Sequence, residues 1–314
     1  MRLYFCSDLH ASEVCWRKFL AAASFYRADV LVLGGDITGK FVVPIVHHAH
    51  GPATAVFLGI ERRAETADEV ARLRRMIADA GQYGAEMSDA EYEEFSRDPA
   101  LVDSLFRRLI VERVEAWLEM AESRLRGTGV RCLVSGANDD FFEIDEHLAR
   151  SEFVEDPNGR VVDLDGFELV GMGYGNPTPW PCPRDIPEEE LAGRIEAALA
   201  GVQRMDRAIF NFHVPPFRSG LDEAPRLDEQ LRMVMTGAGP EIIPVGSTAV
   251  RAAIERYQPM LGLHGHIHES KGIRKLGTTT IVNPGSEYGE GILDGALIDL
   301  DAKHGLKQVQ LVAG

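Results

Sequence analysis

The sequence lacks any long hydrophobic run. No stretch of about 18 apolar residues occurs among its 314 residues, so we expect no transmembrane helix and no membrane partner. The basic start and long apolar middle of a signal peptide are also missing, because residues 1–7 form a short strand-like run that leads directly into Asp8 and His10. We therefore expect a cytoplasmic protein. Apolar residues make up 45% of the chain, which excludes intrinsic disorder.

Lysine is scarce. Only 6 of the 33 basic residues are lysine, and 49 acidic residues give a formal net charge of -16. A non-specific nucleic-acid binder needs a basic face to displace phosphate counterions, and the sequence shows no such cluster. Long nucleic acids are therefore not the expected substrate or partner.

Cysteine is also rare, with four residues and no C-x-x-C pair. This pattern excludes a zinc knuckle and a dithiol redox motif. Cys6 and Cys132 lie in apolar runs, where a thiol behaves as a small buried hydrophobic group.

Short apolar runs bounded by Gly, Asp or Pro predict nine buried strands. They cover residues 3–6, 30–33, 130–134, 167–171, 208–212, 260–263, 279–282, 296–300 and 309–312. Helical patterns separate many of them, notably over residues 16–26, 188–203 and 248–257. The alternation predicts an α/β fold, and the short connections near the C-terminus predict some antiparallel pairing.

Residues 61–127 differ from the rest, with helical periodicity and little strand signal. Asp98-Pro99 is a typical helix start, and apolar residues at steps of three or four predict one helix of about 27 residues from there. The predicted stripe is Val102, Phe106, Ile110, Val114, Trp117, Ala121 and Leu125. We expect a single domain over residues 1–314 with a helical insertion at 61–127. Packing on the sheet is the favoured role of this helix, and covering the site or forming a homo-oligomer contact are the alternatives.

Six segments place metal-ligand residue types directly after predicted strands. These are residues 7–10, 34–39, 136–140, 211–215, 264–268 and 282–286. In D-x-H and H-x-H the two side chains are two residues apart, so they point to the same side of an extended chain. Loops at the carboxyl ends of strands build the site of an open α/β sheet. Each motif alone has little specificity, but their joint order along the chain is informative.

This order of motifs resembles the calcineurin-like metallophosphoesterase superfamily, from Asp8 to about Ser286, with gaps over the insertion and residues 143–206. The resemblance implies a four-layer αββα sandwich of two mixed β-sheets flanked by helices. It also implies two divalent ions, with Mn, Fe, Zn or Mg as candidates. The implied ligands are Asp8, His10 and His268 for one ion, Asn138, His213 and His266 for the other, and Asp36 as the bridge. Among them Asp36, Asn138 and His213 carry the implied catalytic roles.

The implied activity is that of a metal-dependent phosphoesterase. Two cations clamp a phosphoryl group, and a hydroxide bridging them attacks phosphorus in line with the leaving oxygen. A small or nucleotide-like phosphodiester is the favoured substrate class. The runner-up is a catalytically weak, metal-binding interaction scaffold, for which a retromer subunit with this fold is the precedent.

The sequence departs from the family at the third motif. Its usual Gly-Asn-His-Asp/Glu is replaced by Gly-Ala-Asn-Asp-Asp, so Asp139 follows Asn138 where the family has the histidine thought to protonate the leaving group. Nearby cations hold an aspartate ionised, which makes Asp139 a poor acid. Three outcomes remain open: substrates with good leaving groups, another proton donor such as His264, or slow or lost hydrolysis.

Other residues are candidates for substrate contact. Arg218 could clamp a phosphate oxygen, and Tyr174 or Trp180 could stack on a base or aromatic leaving group. Asp139 could contact the substrate, and a solvent-facing carboxylate behind the ligands is its alternative role. His47, His48 and His50 follow a predicted strand in a hairpin over residues 41–58. A solvated hairpin tip is the favoured interpretation of these histidines, and a third metal site or a phosphate contact are the alternatives.

Overall fold

Twenty strands and seven α-helices make up the computed structural model, which describes residues 1–314. The strands are β1 (Arg2–Cys6), β2 (Val30–Leu33), β3 (Val42–His47), β4 (Ala53–Phe57), β5 (Ile60–Ala64), β6 (Tyr83–Ser88), β7 (Arg131–Val134), β8 (Val154–Glu155), β9 (Val161–Leu164), β10 (Phe167–Met172), β11 (Ala208–Phe212), β12 (Glu223–Pro225), β13 (Met235–Thr236), β14 (Gly239–Pro240), β15 (Ile242–Pro244), β16 (Leu261–Leu263), β17 (Gly272–Leu276), β18 (Thr279–Asn283), β19 (Asp294–Asp301) and β20 (Gly305–Ala313). The helices are α1 (Glu13–Tyr26), α2 (Ala67–Asp79), α3 (Asp89–Arg97), α4 (Pro99–Leu125), α5 (Glu143–Arg150), α6 (Glu188–Leu199) and α7 (Thr248–Tyr257).

Two six-stranded mixed sheets carry the fold. The first has the order β20-β19-β1-β2-β7-β8, in which β1, β2, β7 and β8 are parallel and β19 and β20 antiparallel. The second has the order β17-β18-β16-β11-β10-β9, with parallel central strands and antiparallel edges. Parallel neighbours end at the same edge, so the loops after the central strands of each sheet meet there.

The two sheets pack face to face. Their shared core contains Leu3 and Phe5 of β1 together with Ile209 of β11 and Leu263 of β16, each 0% exposed. Strand side chains alternate between faces, so the residues between them, such as Tyr4, face outward into the first helical layer. Burial on both faces explains why these strands read as continuous apolar runs.

Helices cover the outer face of each sheet. Helices α1, α4 and α5 pack on the first sheet, and α6 and α7 pack on the second. The order of layers is therefore αββα, which confirms the predicted fold class. No helix combines the length and the apolar content needed to cross a membrane.

The region around residues 61–127 is less helical than expected. It contains β5 and β6, which join β3 and β4 in a separate four-stranded sheet with the order β5-β4-β3-β6. Strand β6 has the sequence YGAEMS, in which every second residue is buried. This alternation spans only six residues, so the longer helical periodicity on both sides masks it in the sequence. The predicted hairpin is present, since β3 and β4 pair antiparallel.

Helix α4 has the predicted start and length, with Asp98 capping the backbone N–H of Ala100. Only the C-terminal part of its apolar stripe, from Ile110 to Leu125, is fully buried against the first sheet layer. The preceding turns, including Leu105, face the four-stranded sheet instead. The helix thus joins the added sheet to the main body.

We expect Trp117→Ala to lower the free energy of unfolding by about 3–5 kcal/mol, because a large buried side chain leaves a cavity. Trp117 is 2% exposed and stacks on Trp16 with ring centroids 4.6 Å apart. Urea denaturation measures the change. The exposed Glu119→Ala on the same helix is the control, with an expected change within about 0.5 kcal/mol. Equal effects of the two variants would contradict the packing described.

Candidate metal centre

The motif residues converge at the edge where the central strands of both sheets end. Asp8 follows β1, Asp36 follows β2, Asn138 follows β7, and His213 and His266 follow β11 and β16. Backbone hydrogen bonds join these loops within each sheet. The N–H of Asp8 donates to Gly35 O over 2.9 Å, and that of Gly265 donates to His213 O over 2.9 Å.

One group of ligand atoms comes from Asp8, His10 and His268. Their ligating atoms all lie within 4.8 Å of one another. His268 Nε2 is 3.4 Å from Asp8 Oδ1 and 3.3 Å from His10 Nε2. This set has the same members as the first ligand set implied by the resemblance.

A second group comes from Asp36, His213 and His266, again with ligating atoms within 4.8 Å of one another. His213 Nε2 lies 3.3 Å from Asp36 Oδ2. Asn138 joins this group through its amide oxygen, which is 3.0 Å from His266 Nδ1. The amide is oriented by Asp185, because Asn138 Nδ2 donates to Asp185 Oδ1 over 3.1 Å.

Asp36 lies between the two groups. Its Oδ2 is 3.9 Å from His10 Nε2 of the first group and 3.3 Å from His213 Nε2 of the second. Asp8 also reaches across, with Oδ1 3.7 Å from His213 Nε2. The arrangement therefore has the shape of two adjoining ligand sets with a shared carboxylate.

Four of the clustered residues have left-handed backbone. The φ angles are 60° at Asp8, 42° at His10, 50° at Asp36 and 66° at His266. Such angles cost about 1–2 kcal/mol each for residues with a Cβ, so the surroundings must hold them. Hydrogen bonds do this: His266 N–H donates to both Asp8 carboxylate oxygens at 3.1 Å, and His10 N–H donates to Asp36 O at 3.0 Å.

Two glycines permit the close approach of the loops. A Cβ at Gly265 would lie 2.2 Å from Asp8 Oδ2. One at Gly35, where φ is +126°, would lie 2.2 Å from the Ala137 Cβ. The glycines of the G-D and G-H motifs are therefore steric requirements for bringing the carboxylates and imidazoles together.

Electrostatics divide the buried histidines into two kinds. Burial lowers the pKa of His10 and of His266 to about 4, so both imidazoles are neutral and able to ligate. Burial also opposes the charge on His213, but the carboxylates of Asp36 and Asp8 outweigh it and raise its pKa to about 9. The two buried carboxylates therefore favour a positive charge at the position of His213.

The residues present fit divalent cations. His213 Nε2 is buried without a hydrogen-bond partner, and the ring nitrogens of His10 and His268 face each other at 3.3 Å. Buried carboxylates need a compensating charge, and a cation between these atoms supplies it. Carboxylate, imidazole and amide ligands suit Mn, Fe, Zn or Mg, and no thiol lies among the two ligand groups.

Asp140, for which the sequence predicted no role, fixes the loop of the third motif through hydrogen bonds. Asp140 is 0% exposed and accepts hydrogen bonds from Ile37 N, Thr38 N, Thr38 Oγ1 and Ala137 N. It therefore ties the Asp36 loop to the Asn138 loop. No signal in the sequence indicates this role, because Ile37 and Thr38 lie 103 and 102 residues away from Asp140 in the chain.

Asp139 also lies at the cluster, where the structure pairs it with residues that the motifs did not indicate. Lys40 Nζ is 2.5 Å from Asp139 Oδ2, and Cys182 Sγ donates to Asp139 Oδ1 over 3.3 Å. Tyr288 stands at the same edge, with its ring centroid 4.7 Å from that of His10. No spacing pattern in the sequence connects these positions.

Tyr174 and Arg218, two of the proposed substrate contacts, are engaged elsewhere. The Arg194 guanidinium lies 4.2 Å from the Tyr174 ring centroid, and Arg218 lies 5.2 Å from the Phe217 ring centroid. Neither side chain has a hydrogen bond or ion pair with the clustered ligands. Trp180 is 53% exposed on the loop that carries Cys182.

His264 faces away from the cluster, which removes it as a proton donor there. Its Nδ1 is 2.7 Å from Phe212 O, and its Nε2 points toward Gly262 in the sheet. His47 and His48 are at the hairpin, paired with Glu86 at 2.9 Å and Asp89 at 2.6 Å. No group of three ligands forms around His47, His48 or His50.

Comparisons with known proteins support the fold. No protein-family model matches the sequence. The chain is similar to the uncharacterized protein MJ1162 of Methanocaldococcus jannaschii, with 29% identity over 127 residues, which cover 40% of this chain and 51% of that protein. The match thus spans about half the length of this curated relative.

Two solved structures align over the whole chain. One has a TM-score of 0.60 and 17% identity, covering 99% of this chain and 98% of the other. The second, TT1561 of Thermus thermophilus, has a TM-score of 0.53 and 17% identity, covering 100% and 97%. At this identity the alignments show the fold. The chain therefore shares the fold of these two structures, and its αββα layers are those that the resemblance implied.

We expect Gly265→Ala to reduce bound metal and to destabilise the protein by several kcal/mol. The added Cβ overlaps the Asp8 carboxylate, so either the loop or the ligand must move. Elemental analysis and urea denaturation measure the two effects. Gly193→Ala in α6, where a Cβ meets nothing within 4 Å, is the control and should retain metal and full stability. Unchanged metal content in Gly265→Ala would contradict the steric argument.

Proposed function

We propose that the protein is a metal-dependent phosphoesterase that cleaves a small or nucleotide-like phosphodiester. The observation that carries the proposal is the pair of ligand groups joined through Asp36, buried at the edge where the strands of both sheets end. When bound there, two divalent cations supply Lewis acidity to the phosphoryl group and lower the pKa of a water molecule.

The chain's own residues set the geometry for that chemistry. Asp36 is 3% exposed and fixed between the two groups, so its carboxylate would hold both cations. His213 and Asn138 approach from different sheets, so the two sheets together would hold the second cation. Rigid, buried ligands of this kind position a phosphoryl group without rearrangement during reaction.

The favoured substrate class follows from the third motif and the rim. Asp139 replaces a histidine acid, and a substrate with a good leaving group needs least help from an acid. The exposed Trp180 precedes Cys182, which contacts Asp139, on the same loop and offers a stacking surface for a nucleobase or an aryl group. Both features favour a small nucleotide-like or aryl phosphodiester.

The alternative function is a metal-binding scaffold with weak catalysis. The observation in its favour is the same Asp139, whose carboxylate oxygens are both engaged, by Lys40 and by Cys182. A metal-loaded protein with no turnover on a broad panel of phosphoesters would support the scaffold.

We expect Asp36→Asn and His213→Ala to lower the rate of Mn(II)-dependent cleavage of an aryl phosphodiester by at least about a hundredfold, because each removes a ligand from the buried site. Steady-state kinetics give the rates, and circular dichroism checks the fold. Asp206→Asn and His304→Ala are matched exposed controls that should keep full activity. Full activity in either site variant would show that the assigned roles are wrong.

Removal of metal should abolish the activity and lower the melting temperature, since a ligand that binds the folded state stabilises it. Dialysis against a chelator, followed by addition of Mn(II), is expected to remove and restore both properties. Elemental analysis of the protein before dialysis should give two ions for each chain. Activity that survives complete metal removal would overturn the proposal.

A further inference from the structure

The open side of the metal centre carries a cation supplied by the chain itself. Lys40 Nζ lies 2.5 Å from Asp139 Oδ2. That carboxylate in turn has an oxygen within 4.8 Å of ligating atoms of His10 and Asp36. No other lysine or arginine forms an ion pair with Asp8, Asp36 or Asp139.

The backbone around Lys40 is fixed on its N-terminal side. Asp140 holds the preceding Thr38 through its N–H at 2.8 Å and its hydroxyl at 2.6 Å. The N–H of Gly39 donates to the Tyr83 hydroxyl oxygen over 2.9 Å. The lysine stem therefore starts from a rigid point, which limits the volume its ammonium can sample.

Asp139 holds the ammonium end. Its own N–H donates to Asp36 Oδ1 over 3.1 Å, and Cys182 donates to its Oδ1 over 3.3 Å. This leaves Oδ2 for Lys40. The Asp139 side chain is 20% exposed and that of Lys40 is 44% exposed, so the pair faces the mouth of the centre rather than the core.

We propose that Lys40 is a catalytic residue whose ammonium binds the leaving-group oxygen, with Asp139 as its positioning residue. The inference rests on the proposed phosphoesterase function. The leaving oxygen gains negative charge as its bond to phosphorus breaks, and an ammonium held at the mouth of the centre is placed to meet that charge.

The step balances without a change in the protonation of Lys40. A water oxygen forms the new bond to phosphorus and releases one proton to solvent, and the electron pair of the breaking P–O bond departs on the leaving oxygen. Lys40 stabilises that anion as an ammonium, and solvent later supplies the proton. Asp139 thus occupies the family's histidine position without acting as an acid.

A leaving-group series tests the proposal. We expect Lys40→Met to lower kcat/KM about tenfold for a 4-nitrophenyl diester and about a hundredfold or more for a phenyl diester, because poorer leaving groups carry more charge in the transition state. Lys40→Arg keeps the charge and should restore most of the activity on the poor substrate. Lys307→Met, an exposed lysine on β20, is the control and should match the unaltered protein across the series.

Two further measurements separate catalysis from structure. Elemental analysis of Lys40→Met should give the same metal content as the unaltered protein, and loss of metal would overturn the proposal. Asp139→Asn should lower kcat more than it raises KM, and should add little in the Lys40→Met background, since the two residues act as a unit.

These experiments distinguish a wrong role for Lys40 from a wrong assignment of phosphoesterase activity. If the unaltered metal-loaded protein cleaves no phosphoester, the phosphoesterase proposal fails. If it is active but Lys40→Met reduces kcat/KM by one constant factor across the series, Lys40 binds the phosphoryl group rather than the leaving oxygen, and this inference is overturned.

Discussion

The burial of two carboxylates side by side governs the rest of the molecule. Asp8 is 1% exposed and Asp36 is 3% exposed, and isolated charges of one sign are costly in such a place. Four histidines surround these carboxylates. The negative charges of Asp36 and Asp8 raise the pKa of His213 to about 9, although burial alone would lower it. Cations are the natural partners of this arrangement. The left-handed backbone at Asp8, His10, Asp36 and His266 and the obligatory glycines follow from packing these groups so closely.

The sandwich supplies the rigidity that this burial needs. Each sheet delivers part of the cluster of candidate ligands, so the cluster forms only when the two sheets pack on each other through their shared core. The N–H group of His266, from the second sheet, holds the Asp8 carboxylate, from the first. Asp140 and Arg184 then fix the loops behind the ligands, with Arg184 bound to Asp140 O and to the Asp145 carboxylate. The contacts that stabilise the fold are consequently the same contacts that assemble the site.

The third motif contributes both to the candidate ligands and to the mouth of the centre. Asn138 still faces His266 because Asp185 orients its amide. Asp139 turns toward Lys40 and Cys182, so an ion pair stands where a histidine is expected. The added four-stranded sheet reaches the same place, since Tyr83 of β6 binds Gly39 next to Lys40. The four-stranded sheet is thus part of the scaffold of the site.

Local patterns along the chain were enough to predict an α/β fold, most central strands, helix α4 from Pro99 to Leu125, and which side chains gather at the strand ends, whereas the αββα layers were predicted only through the family resemblance. These features follow from short-range periodicity and from ligand types placed directly after apolar runs. Packing in three dimensions was needed to bring Lys40 to Asp139, to turn His264 into the sheet and to place Arg194 on Tyr174. The same holds for strands β5 and β6 inside the expected helical region. Most of these contacts join residues far apart in the chain, and no spacing rule encodes them, because they depend on how whole loops pack.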